Sequence, residues 1–197
     1  DRMAAEAGIE QLNPKNKGRV RQAFEGWLHQ RLEEDQLDCL TQSYNLKVIR
    51  VGENSLPAED VSFGSFREQE LVLQSWHTSS LRESWSRPFL FAVFSVSETR
   101  REQFLGAAFC SIPEDELDGR VREAWHATLG AIVTGQRHKA PKKSQSPFFV
   151  RNHAAERSVG PDGEVTTPLA FWLSRHYVMA LLEDHKASGI GLYERDN

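Results

Sequence analysis

"QSYNLKVIRV" (residues 42–51) reads as a half-buried strand in which Leu46, Val48 and Ile49 supply the bulk. Lys47 interrupts them with a charge. Lysine is seldom placed against a core without a reason, and a carboxylate two residues earlier would supply one, because residues two apart share one face of a strand. That position is Asn45.

Working outward, 197 residues at 39% hydrophobic are enough for one sizeable core. A single domain over residues 1–197 is expected, with room for two small ones. No run of about 18 apolar residues could span a membrane, and no signal-peptide pattern opens the chain. A start at Asp1 rather than Met suggests an excised fragment. A soluble, cytoplasmic protein with no membrane partner is expected. Cys39 and Cys110 form neither a disulfide framework nor a zinc pattern, and read as small core hydrophobes.

The net charge of -4 argues at first against a nucleic-acid partner. The average hides two basic stretches. Between Gln11 and Leu32 stand Lys15, Lys17, Arg19, Arg21 and Arg31 against Glu25. Between Gln136 and Arg157 stand Arg137, Lys139, Lys142, Lys143, Arg151 and Arg157 against Glu156. Either stretch alone reads as solvated surface; together on one face they would suit a phosphate backbone.

After the turn-rich "NPKNKG", Val20, Phe24, Trp27 and Leu28 fall at helical spacing, predicting a helix that ends near Leu32. The opening strand follows, then a polar loop, "VGENSLPAED", and a short strand near "ELVLQSW". "RPFLFAVFSV" and "FLGAAFCSI" read as buried strands paired across the charged turn "SETRREQ". From Glu116 to Val133, Leu117, Val121, Trp125, Leu129 and Ile132 recur every three or four residues, predicting a second amphipathic helix. "HKAPKKSQSP" is a basic loop, "FFVRNHA" a short strand, and "SVGPDGEVTT" a hairpin or loop. "PLAFWLSRHYVMALLEDH" begins extended and becomes a final helix. The fold class is α/β or α+β, with a central mixed sheet flanked by helices.

The sequence holds no GxxxxGK[ST], GxGxxG, HExxH or CxxC, which lowers the standing of nucleotide hydrolysis, dinucleotide redox and zinc chemistry. What remains is a set of polar groups around the opening strand: Glu25 on the first helix, Asp38 before the strand, and Lys47 upon it. In two-carboxylate nucleases such groups hold Mg²⁺, which lowers the pKa of bound water, while the lysine orients or stabilises the attacking hydroxide. That chemistry needs an oxygen anion where Asn45 stands. An amide oxygen can ligate Mg²⁺ but adds no negative charge.

The order of "NKGRVRQAFEGWL", Asp38, "NLKVIRV", "LGAIVTGQ", "FFVRNHA" and "AFWLSRHYVMALL" resembles the mismatch-repair endonuclease MutH and the GATC-cutting type II restriction endonucleases related to it. The resemblance covers most of the chain and implies a restriction-endonuclease-like fold. It carries the family's helix glutamate onto Glu25, its aspartate onto Asp38 and its strand lysine onto Lys47. The strand glutamate lands on Asn45, and a further lysine falls in "LRESWSRP", nearest Ser84. Both departures remove charge that phosphodiester hydrolysis uses. The DNA-reading positions are better kept: a basic loop residue at Lys17, a groove-reading arginine at Arg151 and an aromatic at Trp172. Arg19, Lys142 and Lys143 beside them are candidate DNA contacts. Arginine suits guanine O6 and N7, lysine suits guanine or phosphate, and Trp172 could pack on a thymine methyl or a sugar.

Some members of that family carry two tandem copies of the fold, the first cutting and the second binding another GATC site as an allosteric effector. The resemblance therefore implies a duplex-DNA-binding regulatory domain with a remnant active site, needing no cofactor to bind. Its partners would be a catalytic domain in the same parent chain and a second copy reached through DNA looping. The alternative is an active Mg²⁺-dependent GATC endonuclease in which Asn45, Glu53, Asp35 or Glu68 stands in for the missing acid. A protein-interaction domain that lost DNA would leave the basic stretches without a role.

Overall fold

The computed structural model describes residues 17–52, 56–96, 102–153, 158–159, 163 and 165–187. By internal contacts the chain divides into two units that interleave in sequence: Asp1–Glu59, Arg87–Ser111 and Met179–Asn197 form one, Asp60–Ser86 and Ile112–Val178 the other.

The first unit begins with α1 (Lys17–His29), which exists because Val20, Ala23, Phe24 and Leu28 make one continuous apolar stripe, and all four are buried. That stripe packs on Val48, Ala92 and Phe94, with Leu46 and Phe104 at its margin. The Phe24 ring meets Phe94 edge-on, with centroids 6.4 Å apart. α1 stops three residues short of Leu32, and the backbone N–H groups of Arg31 and Leu32 both donate to the Leu28 carbonyl at 2.9 Å. A second helix, α2 (Glu34–Ser43), carries Asp38 and leads into β1 (Asn45–Val51). The sequence reading did not anticipate α2. It buries no residue fully, so it leaves no strong apolar period to read. β1 runs parallel to β3 (Phe89–Val96), which pairs antiparallel with β4 (Glu102–Cys110), as the two apolar runs predicted. The expected mixed sheet is thus this three-stranded one.

The second unit has its own three-stranded sheet. β2 (Val61–Phe66) and β5 (Phe148–Asn152) flank β8 (Leu169–Leu173), both antiparallel to it. β6 (Ser158–Val159) and β7 (Val165–Thr166) form the expected hairpin. β2 was hidden because Gly64 and Ser65 interrupt its alternation at a bulge, although Val61 and Phe63 are buried. "ELVLQSW", expected as a strand, instead contains the end of α3 (Glu68–Leu71) and a 3-10 turn starting at Trp76. Glu68 and Glu70 favour the positive end of a helix, and Trp76 is buried with its indole N–H on Asp118 at 2.6 Å. Arg82, on α4 (Ser80–Ser86), also bonds Asp118, and these donors hold that carboxyl below its ordinary pKa.

The helix predicted over Glu116–Val133 forms, as α5 (Glu114–Glu116), a π turn at Leu117–Val121 and α6 (Arg122–Val133). Its end explains "VTGQ". Gly135 adopts φ 67°, its N–H donates to Ile132 and that of Gln136 to Ala131, the paired bonds of a Schellman cap that glycine accommodates best. The last helix, α7 (Arg175–Ala187), starts directly after β8. No helix among the described residues is long and apolar enough to cross a membrane.

The two cysteines differ, which corrects one expectation. Cys110 is a core residue whose Sγ–H donates to the Leu181 carbonyl at 3.5 Å, and burial pushes its thiol up to about 12. Cys39 is exposed on α2, where the helix leaves it outside the core. A native-state thiol titration should therefore label Cys39 rapidly and Cys110 only on unfolding; equal rates would show that the β4 edge opens.

Candidate nucleic-acid interface

Glu25, Asp38, Asn45 and Lys47, the candidate nuclease residues, lie in the first unit. Alternation along β1 turns Leu46 and Val48 to α1, so Asn45 and Lys47 share the opposite face. In register, Asn45 stands beside Phe89 and Lys47 beside Phe91. Those two rings stack at 5.5 Å and are fully buried, an apolar neighbourhood that suits the aliphatic stem of a half-buried lysine.

Asn45 is engaged structurally. Its backbone N–H donates to Pro88 at 2.8 Å, and its side-chain Nδ2 donates to the Arg87 carbonyl at 3.2 Å. Arg87 in turn donates through Nη1 to the Gln42 carbonyl at 3.2 Å. The amide thus fastens the start of β1 to the start of β3, a task for which a carboxylate has no donor.

Glu25 lies on α1, where Arg21 Nε donates to Oε1 at 2.7 Å in an exposed i,i+4 pair worth only a few tenths of a kcal/mol, about 0.3 to 0.5. Asp38 is exposed on α2. Among the described residues, no group of three or more Asp, Glu, His or Cys side chains is placed to hold a metal ion. The amide nitrogen of Asn45 is turned to a carbonyl, so in this arrangement its side chain serves as a donor at the β1–β3 junction.

The other acids considered as replacements are Asp35, Glu53 and Glu68. Asp35 is exposed on α2, and Glu53 lies outside the described residues. Glu68 is buried in the second unit against Arg137, whose Nη2 approaches Oε1 to 2.6 Å and also donates to the Thr167 carbonyl. Ser84 sits on α4, lining a cavity of about 230 Å³ with Phe63, Trp85 and Phe171.

The DNA-reading candidates divide between the units. Lys17 and Arg19 stand on the first turn of α1, and their side chains lie outside the described structure. Of the remaining cations in that stretch, Arg21 is paired with Glu25 and Arg31 lies over the Trp27 ring at 4.4 Å.

The second basic stretch is better defined. Arg151 on β5 stands opposite Ala170 on β8, and Trp172 is the next residue on the same face. The Arg151 guanidinium lies 3.8 Å from the Trp172 ring centroid, a cation–π contact that fixes an otherwise mobile side chain. Arg151 remains about half exposed, at 52%. His153 lies beyond it, its ring 6.0 Å from Trp172. β5 is an edge strand, so this cation–aromatic pair stands at the margin of the sheet.

Lys142 is exposed, its backbone N–H accepted by Gln145 Oε1 at 3.1 Å. Lys143 is different. Its Nζ lies 2.7 Å from Oδ1 and 2.9 Å from Oδ2 of Asp60, a residue only 7% exposed. Asp60 Oδ1 also accepts the Arg175 backbone N–H at 3.0 Å, and Arg151 Nη1 lies 3.9 Å from Oδ2. Sequence reasoning missed Asp60. An acid just before a strand is a common pattern, and no spacing rule connects position 60 with positions 143, 151 and 175.

No protein-family model matches the chain. It is similar to the type II restriction enzyme Sau3AI of Staphylococcus aureus. The two are 26% identical over 122 residues, covering 57% of this chain and 25% of that protein. The chain thus aligns with about a quarter of the relative's length. This likeness supports a relationship to the restriction endonucleases, and the architecture of small sheets flanked by helices agrees with their α+β fold.

The role of Asn45 can be tested without DNA. Asn45→Glu should destabilise the protein by about 1 to 3 kcal/mol, because the Arg87 carbonyl loses its donor and a charge enters the β1–β3 junction. Urea unfolding checks this; an unchanged midpoint would mean that the amide contributes nothing there.

Proposed function

We propose that this chain is a duplex-DNA-binding domain of a type II restriction endonuclease that reads a GATC-type site. In this reading it serves as a regulatory effector of a nuclease domain in the same parent chain, and is itself weak or inactive in cleavage. The observation that carries the reading is the Arg151–Trp172 pair. A half-exposed guanidinium held on an indole at a sheet edge loses little side-chain entropy on binding, which suits bidentate contact with guanine O6 and N7. Trp172 offers apolar surface for a thymine methyl or a sugar. Lys142, exposed in the basic loop, suits a phosphate, and Lys17 and Arg19 are assigned to the same task from their positions at the start of α1.

The resemblance puts Asn45 where the family has an acid, and its side chain is engaged as a donor to the Arg87 carbonyl, which supports weak or absent cleavage. The likeness to a type II restriction enzyme over only a quarter of that protein's length supports a parent chain with further parts. Looping to a second copy through two DNA sites is part of the proposal.

The test is a gel-shift and cleavage assay on a duplex with one GATC site, with and without Mg²⁺. Binding that weakens steeply with salt, without nicking, is expected. Efficient Mg²⁺-dependent cutting at GATC would instead establish an active endonuclease. Arg151→Ala should reduce the preference for GATC over scrambled DNA by about 1 to 3 kcal/mol, and an equal loss on both duplexes would reduce Arg151 to a phosphate contact.

A further inference from the structure

Asp60 is a buried carboxylate with more cationic neighbours than its burial alone demands. It lies directly before β2, which pairs with β8, the strand that carries Trp172. One oxygen accepts the Arg175 N–H at the start of α7 and lies 2.7 Å from Lys143 Nζ; the other lies 2.9 Å from Lys143 Nζ and 3.9 Å from Arg151 Nη1. Three chain segments distant in sequence therefore meet on one side chain: the basic loop, the edge strand β5 and the start of the last helix.

We infer that Asp60 is the positioning residue of the DNA-reading surface, an inference that rests on the function proposed above. It acts in two ways. First, a charge beside Arg151 Nη1, with the Trp172 ring beneath the guanidinium, fixes the plane and direction of the fork. Bidentate readout depends on that direction, whereas contact with a phosphate does not. Second, Asp60 removes Lys143 from the set of phosphate contacts. A lysine ammonium bound to both oxygens of a buried carboxylate is already neutralised, and leaving it would strand a charge in the interior. Lys142, one residue earlier and exposed, keeps its charge for the DNA. Adjacent lysines in "APKKSQ" thus have opposite duties: Lys143 anchors the loop and Lys142 meets the phosphate.

The test uses the full chain and two duplexes of equal composition, one with GATC and one scrambled. Asp60→Asn keeps an acceptor for the Arg175 N–H and removes the charge. It should lower the GATC-to-scrambled affinity ratio roughly tenfold, since positioning affects base contacts of this size, and by freeing Lys143 it should leave binding to scrambled DNA no weaker and its salt slope steeper by up to about 0.9. Lys142→Met should reduce the slope of log affinity against log salt by about 0.9, and Lys143→Met should leave that slope unchanged. An unchanged ratio in Asp60→Asn, or a full step in slope for Lys143→Met, overturns the inference.

A DNA-free measurement separates this inference from the function it rests on, and also covers variants that fold poorly. In a thermal double-mutant cycle, Asp60→Asn and Lys143→Met should be strongly non-additive, as should Asp60→Asn with Arg151→Ala. Additivity in both cycles overturns the role of Asp60 whatever DNA the protein binds. Coupling in both cycles, with a wild-type protein that shows no preference for GATC, supports the tether and sinks only the proposed recognition site.

Discussion

Alternation of side chains along a paired strand is the constraint on which both halves of this molecule's chemistry depend. Once Leu46 and Val48 are committed to α1, Asn45 and Lys47 must face the other way. The same geometry in the second unit puts Arg151 and Trp172 on one face of neighbouring strands, close enough for a guanidinium to settle on an indole. A slip of one residue in either pairing would exchange buried for exposed side chains and dismantle the arrangement. Register is therefore the property that the cores protect, and the cores are suited to protecting it. Phe24 and Phe94 lock one sheet, while Trp85, Phe148 and Phe171 fill the other.

The sequence made these strands readable where apolar residues were dense. The β3–β4 pair, α1 and the long helix before "VTGQ" all carry strong periods, and the structure forms each of them. Legibility failed where the period was weak or interrupted. α2 buries nothing completely, β2 is broken by a bulge at Gly64 and Ser65, and "ELVLQSW" has strand-like composition but lies in a helix and a 3-10 turn. In each case the deciding interactions are tertiary, such as the Trp76 indole on Asp118, and local composition does not encode them.

The candidate site was legible to a different depth. Order along the chain was enough to single out Arg151 and Trp172, and their 3.8 Å contact adds a physical reason for the pair. It could not show that neighbouring lysines differ. Lys142 and Lys143 look equivalent as letters and both are exposed, yet the Lys143 ammonium is bound to a carboxylate 83 positions away. Nor could it show that Asn45 has a use of its own. The amide joins two strand starts by donating to a carbonyl, a task that a carboxylate at that position could not perform.

On the proposed function, that amide bears on how DNA could be bound without being cut. Carboxylates at a cleavage site repel the phosphodiester unless a divalent cation lies between them, so an acid without its metal opposes DNA binding. The amide at position 45 brings no such repulsion, and its Nδ2 donates to the Arg87 carbonyl. Arg151 and Trp172 belong to a different sheet from Asn45. On the proposed function, loss of cutting and retention of binding are therefore separable changes. On that reading the first involves Asn45 on β1 and the lysine missing near Ser84, and the second rests on the register of β5 and β8 together with the carboxylate of Asp60.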